Sequence, residues 1–208
     1  MSDDSAPEDT LRDHFDQSAE AAEDLIEREE FVPEDHVDDV RDFDCGDTSY
    51  QTALSEWIKC GNPDNSASAD IEKFNTDVWL YYNRAGNLIG FGSLGLTKWT
   101  LGEGSKKKVD VVLIPMVAVA KAHWGQPPGN CYADQIMDDL RAEALKYKES
   151  HPAVVLAVHP ENKRAISFYE RHGFKMIEPP MRDGHLRMAV ANVEVQSPDD
   201  EENFDAGI

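Results

Sequence analysis

Long apolar runs are missing from this sequence of 208 residues. No stretch approaches the roughly 18 consecutive apolar residues that a transmembrane helix needs, so we expect no membrane span. The N-terminal residues are acidic and polar, and they lack the apolar segment of a secretory signal. The sequence therefore favours a cytoplasmic protein.

Cysteine is also scarce. The chain has three cysteines, Cys45, Cys60 and Cys131, and no two of them are spaced as a C-x-x-C pair. An odd number without such spacing predicts neither a disulfide framework nor a zinc site. We therefore expect a protein without a metal, in a reducing compartment.

Positive charge is in short supply at both ends of the chain. Residues 1–48 hold 19 acidic and 3 basic side chains, and residues 193–208 hold 6 acidic and no basic ones. Residues 49–192 hold 16 acidic and 17 basic side chains, so the net charge of −21 belongs to the ends. This split predicts a nearly neutral folded domain over 39–192, which does not repel a polyanionic ligand. It also predicts a partly helical acidic extension over 1–38 and a disordered acidic tail over 193–208.

Three segments carry apolar residues at spacings of three and four, which is the pattern of an amphipathic helix. The first runs from Glu8 to about Phe31, and Pro33 breaks its pattern. The second runs from Ser49 to Lys59. The third begins at Ala133 and turns Ile136, Met137, Leu140, Ala144 and Leu145 inward.

Strand patterns lie between and after these helices. Two aromatic and β-branched runs flank Asn83–Asn87, which predicts a hairpin. Val109–Val119 is apolar on both faces and predicts a central strand, in which Pro115 requires a bulge. Val154–Val158 predicts another buried strand, and Leu186–Ala191 predicts the last one.

The segment after Val158 carries the densest pattern. Pro160 ends the strand, and a short helix should follow, because Ala165, Phe168 and Tyr169 share one face. Gly173 should stop that helix in a left-handed conformation. A short strand, Lys175–Ile177, should come next.

Val158 to Phe174 reads V-x-P-x-N-x-x-A-x-x-F-Y-x-x-x-G-F without a gap. This order resembles the second half of the GCN5-related N-acetyltransferase (GNAT) family. The resemblance implies an α/β (α+β) fold, with a mixed central sheet of about six to seven strands and helices on both faces. It also implies that this sheet is splayed between strands four and five.

The same resemblance implies acetyl-CoA as the acetyl donor and assigns two roles. Asn162 would contact the coenzyme, and Tyr169 would give a proton to the departing thiolate. From the residues alone, Asn162 could equally be a helix N-cap and Tyr169 a core-packing aromatic. Both interpretations are open at this point.

The resemblance also locates the rest of coenzyme A. Its pantetheine arm would meet backbone groups at the bulge of the fourth strand, at Val117, Ala118 and Val119. Its diphosphate would meet a helix N-terminus, where free N–H groups and the helix dipole favour an anion. The family loop there reads R/Q-x-x-G-x-G/A, and two registers are open, 128–133 and 126–131. The residues that would bind coenzyme A in this loop are Gly129, Asn130, Cys131, Tyr132 and Ala133.

The implied reaction is direct transfer of the acetyl group to a primary amine that the sequence does not identify. Backbone N–H groups near Val117–Val119 would stabilise the oxyanion, and Tyr169 would protonate the leaving sulfur. Three side chains, Asp110, His123 and Glu103, are candidates for the base, and a water chain to solvent is an alternative.

Two other interpretations stay open. Phe43-Asp44-Cys45-Gly46 loosely resembles the toxin branch of the family, which acetylates aminoacyl-tRNA. The acidic ends argue against nucleic acid, because nucleic-acid binders usually show a basic excess, although they leave tRNA open. The last alternative is a catalytically degenerate GNAT-fold module that binds a partner through its acidic ends. Many family members are dimers, so a homodimer is open as well.

Overall fold

The computed structural model describes residues 26–41, 43–46, 76–100, 107–127, 131–178 and 180–193. These residues form a mixed α/β fold with an open mixed sheet. They fall into two compact units, one within Met1–Ser93 and Met116–Asp139 and the other within Leu94–Pro115 and Leu140–Ile208. The helices are α1 (Pro33–Arg41), α2 (Tyr132–Ala144) and α3 (Lys163–Arg171). The strands are β1 (Glu27–Glu30), β2 (Thr76–Tyr82), β3 (Leu88–Thr100), β4 (Lys108–Leu113), β5 (Val117–Val119), β6 (Ala153–Val158), β7 (Lys175–Ile177) and β8 (Leu186–Ala191).

In the first unit, β2 and β3 form the predicted hairpin. The side-chain oxygen of Asn83 accepts hydrogen bonds from the N–H groups of Ala85 and Asn87, at 3.1 and 3.0 Å. Gly86 takes a φ of 74° in the turn, a conformation that glycine adopts without strain. Strand β1 pairs antiparallel with β2, and β5 pairs antiparallel with the first part of β3.

The prediction of a helix reaching Phe31 is wrong at its end. Glu27–Glu30 is strand β1, and the N–H of Phe31 extends the pairing by donating to the carbonyl of Val78 at 2.8 Å. The pairing with β2 and the burial of Phe31, which is 4% exposed, outweigh the helical propensity of the preceding residues. Pro33 begins α1, because a missing N–H costs nothing at the first helical position. Most of the predicted helix lies outside the described residues, and the boundary of the acidic extension stays a prediction.

In the second unit, the strand order is the second part of β3, then β4, β6, β8 and β7. The pair β4–β6 is parallel, and the other pairs in this order are antiparallel. Strands β7 and β8 have the predicted bounds, and Gly173 has the predicted left-handed φ, at 81°. Helix α3 connects β6 to β7, and both of these strands pair with β8. This pairing fixes the two ends of the helix.

The predicted strand Val109–Val119 is divided into β4 and β5. The last rung of β4 is the hydrogen bond from the N–H of Ile114 to the carbonyl of Val155, at 2.9 Å. Pro115 follows and has no N–H to continue the ladder. The chain stays paired with β3 through β5, but the register shifts by one residue, since Gly95 lies opposite Leu113 and Gly92 lies opposite Val117. Residues 114–116 therefore lie opposite only two residues of β3, and this extra residue is the bulge that the sequence predicted at Pro115.

Helix α2 confirms the predicted amphipathic pattern. Its inward side chains at Ile136, Met137, Leu140 and Ala144 are fully buried, and Ala133 is half-buried. None of the helices in the described ranges has the length and apolar character needed to cross a bilayer. The predicted helix at 49–59 lies outside those ranges.

Candidate active site

Asn162 stands at the N-terminus of α3 and caps it. Its side-chain oxygen accepts the N–H of Ala165 at 3.1 Å, and its own N–H donates to the carbonyl of His159 at 2.9 Å. This confirms the N-cap interpretation, in which the side chain satisfies a free donor of the first turn. The cap uses only the oxygen of the Asn162 carboxamide. The NH₂ group of the same carboxamide takes no part in the cap.

Tyr169 lies in the last two turns of α3 and is half-buried. Its ring packs against the rings of Phe168 and Phe174, with centroids 5.4 and 5.9 Å apart. Gly173 reverses the chain after α3 and brings Phe174, which is 1% exposed, back under the tyrosine ring. These contacts hold the ring at both sides, as edge-to-face aromatic packing does.

Strand β5 presents its backbone groups in a fixed alternation. The carbonyl of Met116 accepts the N–H of Ser93, and the N–H of Ala120 donates to the carbonyl of Ile89, at 3.0 and 2.8 Å. In an antiparallel ladder alternate residues bond to the same neighbour, so residues 116, 118 and 120 face β3. The N–H and C=O groups of Val117 and Val119 therefore point away from β3. Val117 and Val119 are thus the predicted coenzyme-binding residues whose N–H groups are not used in pairing with β3. The N–H of Ala118, the third predicted residue, faces β3.

Three side chains of the segment after β5 contact β5 or the start of α2. The indole N–H of Trp124 donates to the carbonyl of Val119 at 3.2 Å, and the ring of His123 meets that of Tyr132 edge-on at 4.9 Å. The side-chain oxygen of Gln126 accepts the backbone N–H of Tyr132 at 3.1 Å. That N–H has no partner within α2, because it belongs to the first turn of the helix. The Gln126 oxygen binds it at the position where the sequence predicted a phosphate oxygen.

Two of the predicted loop residues, Gly129 and Asn130, lie outside the described residues. Cys131, Tyr132 and Ala133 are described and begin α2. Burial raises the pKa of the Cys131 thiol, against the backbone N–H groups of Asp134 and Ala133, which lower it. A protonated thiol is a poor nucleophile, which agrees with a binding position and not a covalent one for Cys131.

The three candidate bases differ in their surroundings. Asp110 forms an exposed ion pair with Lys98 at 3.1 Å, and Glu103 lies outside the described residues. Burial lowers the pKa of His123, so its imidazole is neutral at neutral pH. No three His, Cys, Asp or Glu side chains in the described part of the chain gather closely enough to hold a metal ion.

The candidate residues thus fall into two groups. Val117, Ala118, Val119, Cys131, Tyr132 and Ala133 belong to the first unit, and Asn162 and Tyr169 belong to the second. Ser93 and Trp124 also belong to this site, because both form hydrogen bonds to the β5 segment that arise from the fold. A serine within a strand and a tryptophan after one carry no local signal for such contacts.

Residues 47–174 match the family model described as the acetyltransferase (GNAT) family. The match spans more than half of the chain, and the chain belongs to the GNAT acetyltransferase family. The comparison with curated proteins finds no match to this chain.

Among solved structures, the fold is similar to that of bacterial toxins. One is a tyrosine-to-phenylalanine mutant of the toxin AtaT, bound to the C-terminus of the antitoxin AtaR and acetyl-CoA. It is 13% identical with a TM-score of 0.58, over 80% of this chain and 93% of that one. A protein described as a bacterial toxin is 20% identical with a TM-score of 0.60, over 81% and 92%. AtaT complexed with acetyl-methionyl-tRNAfMet is 12% identical with a TM-score of 0.58, over 80% and 95%. At identities this low, the three matches establish a shared fold and nothing about a shared activity.

Proposed function

We propose that this protein is an acetyl-CoA-dependent N-acetyltransferase that transfers the acetyl group to a primary amine by direct attack. The observation that carries the proposal is helix α3, capped by Asn162, which holds a half-buried Tyr169 between aromatic rings. Family membership supports the class of reaction.

Acetyl-CoA supplies an activated acyl group on a thiolate leaving group. The amides of Val117 and Val119 face away from β3, which suits them to bond the pantetheine arm and the acetyl carbonyl. The N-terminus of α2, with Cys131, Tyr132 and Ala133, suits a diphosphate, because the helix dipole favours an anion and a phosphate oxygen can replace the Gln126 oxygen on the N–H of Tyr132. The predicted Gly129 and Asn130 complete that loop in the proposal, and the NH₂ of Asn162 remains available to the coenzyme.

Tyr169 has the chemistry of a general acid here. The attacking nitrogen forms a bond to the carbonyl carbon, the carbon–sulfur bond breaks, and the sulfur takes the phenolic proton. The nitrogen then loses its extra proton to solvent, and the phenolate of Tyr169 takes one back from solvent. Between the attack and the loss of the thiolate, the acetyl oxygen carries a negative charge, and the backbone N–H groups of β5 stabilise it. The base that first takes a proton from the amine stays open among His123, Asp110, Glu103 and water. Of these, His123 is held neutral by burial and could accept a proton.

Calorimetric titration with acetyl-CoA tests the proposal. The Tyr169→Phe variant should bind acetyl-CoA as the wild type does, because it keeps the ring and its packing. It should lose most of its turnover in a thiol-release assay with a panel of amines. Tyr147→Phe is the matched control, since Tyr147 is also half-buried and packs on His151 at 6.0 Å. Wild-type protein that fails to bind at millimolar acetyl-CoA would refute the proposal and favour the binding module.

Aminoacyl-tRNA is the second candidate acceptor. The likeness in fold to AtaT, which has a solved structure complexed with acetyl-methionyl-tRNAfMet, motivates it. The F-x-C-G segment gives limited support, because Phe43 and Cys45 are core residues at 5% and 3% exposure, and packing explains them. Incubation with charged tRNA and labelled acetyl-CoA separates the two acceptors. Label on free amines but not on tRNA would exclude this candidate.

A further inference from the structure

Ser93 makes three hydrogen bonds to the backbone of a single residue, Met116. Its N–H donates to the carbonyl of Met116 at 3.0 Å. Its hydroxyl lies 3.1 Å from that same carbonyl, to which it donates, and 3.1 Å from the N–H of Met116, from which it accepts. The side chain has no solvent exposure. We infer that Ser93 is a positioning residue that aims the N–H of Val117 at the acetyl carbonyl, an inference that rests on the proposed function.

The peptide unit between Met116 and Val117 is planar, so its carbonyl and its N–H turn together. The carbonyl of Met116 and the N–H of Val117 belong to one trans peptide unit, so they point in opposite directions. Two donors of Ser93, its N–H and its hydroxyl, hold that carbonyl on the β3 side. The N–H of Val117 is thereby turned to the other side of β5. Rotation of this peptide would break both bonds to Ser93, so the orientation of the Val117 N–H is fixed indirectly.

The hydroxyl is needed because a one-residue bulge interrupts the pairing with β3 at this point. Strand β4 ends before Pro115, and β5 begins after Met116, so the N–H of Met116 has no rung in either strand ladder. The hydroxyl of Ser93 supplies its acceptor. A buried N–H without a partner is costly, and its peptide would turn to find one. One serine therefore fixes the peptide units on both sides of Met116.

A preorganised backbone donor stabilises a developing oxyanion only when it already points at it. Removal of the hydroxyl in Ser93→Ala leaves one bond on the Met116 carbonyl and none on the Met116 N–H. The Val117 N–H then loses its fixed direction, while the groups that hold the rest of coenzyme A are untouched. The expected effect is a selective loss of recognition of the acetyl group.

Calorimetry with coenzyme A and acetyl-CoA measures that recognition without any acceptor. The wild type should prefer acetyl-CoA by roughly two- to tenfold, the range of one net hydrogen bond. Ser93→Ala should bind both ligands equally, with its affinity for coenzyme A unchanged. Ser93→Thr, which keeps the hydroxyl, should restore the preference. The carbonyl ¹³C resonance of labelled acetyl-CoA should move on binding to the wild type and move less with Ser93→Ala.

Thr76→Val is the matched control, because Thr76 is a buried residue of β2 whose hydroxyl has no partner among the described residues. It should leave the preference intact. An unchanged preference in Ser93→Ala, or no preference in the wild type, would overturn the role of Ser93 alone. If Ser93→Ala lost affinity equally for coenzyme A and acetyl-CoA, Ser93 would have a role in folding only, and the inference would be overturned. A wild type that binds neither ligand would overturn the proposed function itself.

Discussion

Gly90 is a position where strand β5 and helix α2 both approach the backbone of β3 closely. A Cβ atom built at Gly90 would lie 2.6 Å from the carbonyl oxygen of Ala118 and 2.7 Å from the Cδ1 atom of Ile136. Both distances are far below van der Waals contact. One of the atoms is backbone that is paired to β3, so it cannot move without breaking the ladder that presents Val117 and Val119.

Gly90→Ala should therefore destabilise the protein by about 2 kcal/mol, within the roughly 1–3 kcal/mol range of overpacked cores. The two contacts can be separated, because Ile136→Val removes the Cδ1 methyl. Alone, Ile136→Val should cost about 1 kcal/mol, as buried Ile→Val changes do. In the double variant the cavity and the new methyl compensate, so the total cost should fall about 1 kcal/mol short of the sum.

Urea denaturation of the four proteins measures this coupling. Gly86→Ala is the reference for a glycine change without a clash, since nothing lies within 4 Å of its Cβ position and its φ of 74° leaves only backbone strain. Additive costs for Gly90→Ala and Ile136→Val, within about 0.5 kcal/mol, would refute the close approach. A Gly90→Ala variant as stable as the wild type would refute the reasoning altogether.

Three further predictions test other parts of the molecule. Asn162→Ala should cost about 1 kcal/mol of stability through the lost bond to Ala165, whereas Asn162→Asp should keep the cap; if the NH₂ contacts coenzyme A, calorimetry should show weaker acetyl-CoA binding in both. Phe31→Ala should cost about 3–5 kcal/mol in urea denaturation, because Phe31 is a core residue, and a negligible cost would mean that residues before α1 are dispensable. Burial lowers the folded-state pKa of His123, so its contribution to stability is present above the unfolded pKa and is lost as the pH falls through the folded one. His123→Phe, which keeps a ring against Tyr132, should lose less stability than the wild type as the pH falls below about 6.5, and identical profiles would contradict this.

The elements that were predicted correctly are those whose signals are local. The helix α3 is bracketed by an N-cap at Asn162 and a left-handed glycine at Gly173, and each of these depends on residues within one turn. The hairpin around Asn83 is likewise decided by the turn residues. Family resemblance added the roles of Asn162 and Tyr169, which the local pattern alone left open between packing and chemistry. Those roles stay predictions, since the structure shows the cap and the ring packing.

Strand β1 could not be predicted in this way. Its residues, Glu-Arg-Glu-Glu, favour a helix by propensity, and their side chains are exposed in the strand. What decides the conformation is the edge of β2, about 50 residues further along the chain, together with the burial of Phe31. Pairing between distant segments is not visible in a window of neighbouring residues, so the sequence predicted a helix through to Phe31.

The geometry of the candidate site depends on the same kind of distant pairing. Pro115 shows in the sequence that a ladder must be interrupted, but not where the chain goes next. In the fold it stays on β3 with its register shifted by one residue. Ser93 and Gly90 accommodate it, one by bonding to Met116 and the other by leaving room for Ala118. A serine and a glycine in a strand have no distinguishing pattern, because their roles are defined by the residue opposite them. The direction of the Val117 N–H, on which the proposed chemistry depends, is therefore set by residues on the neighbouring strand.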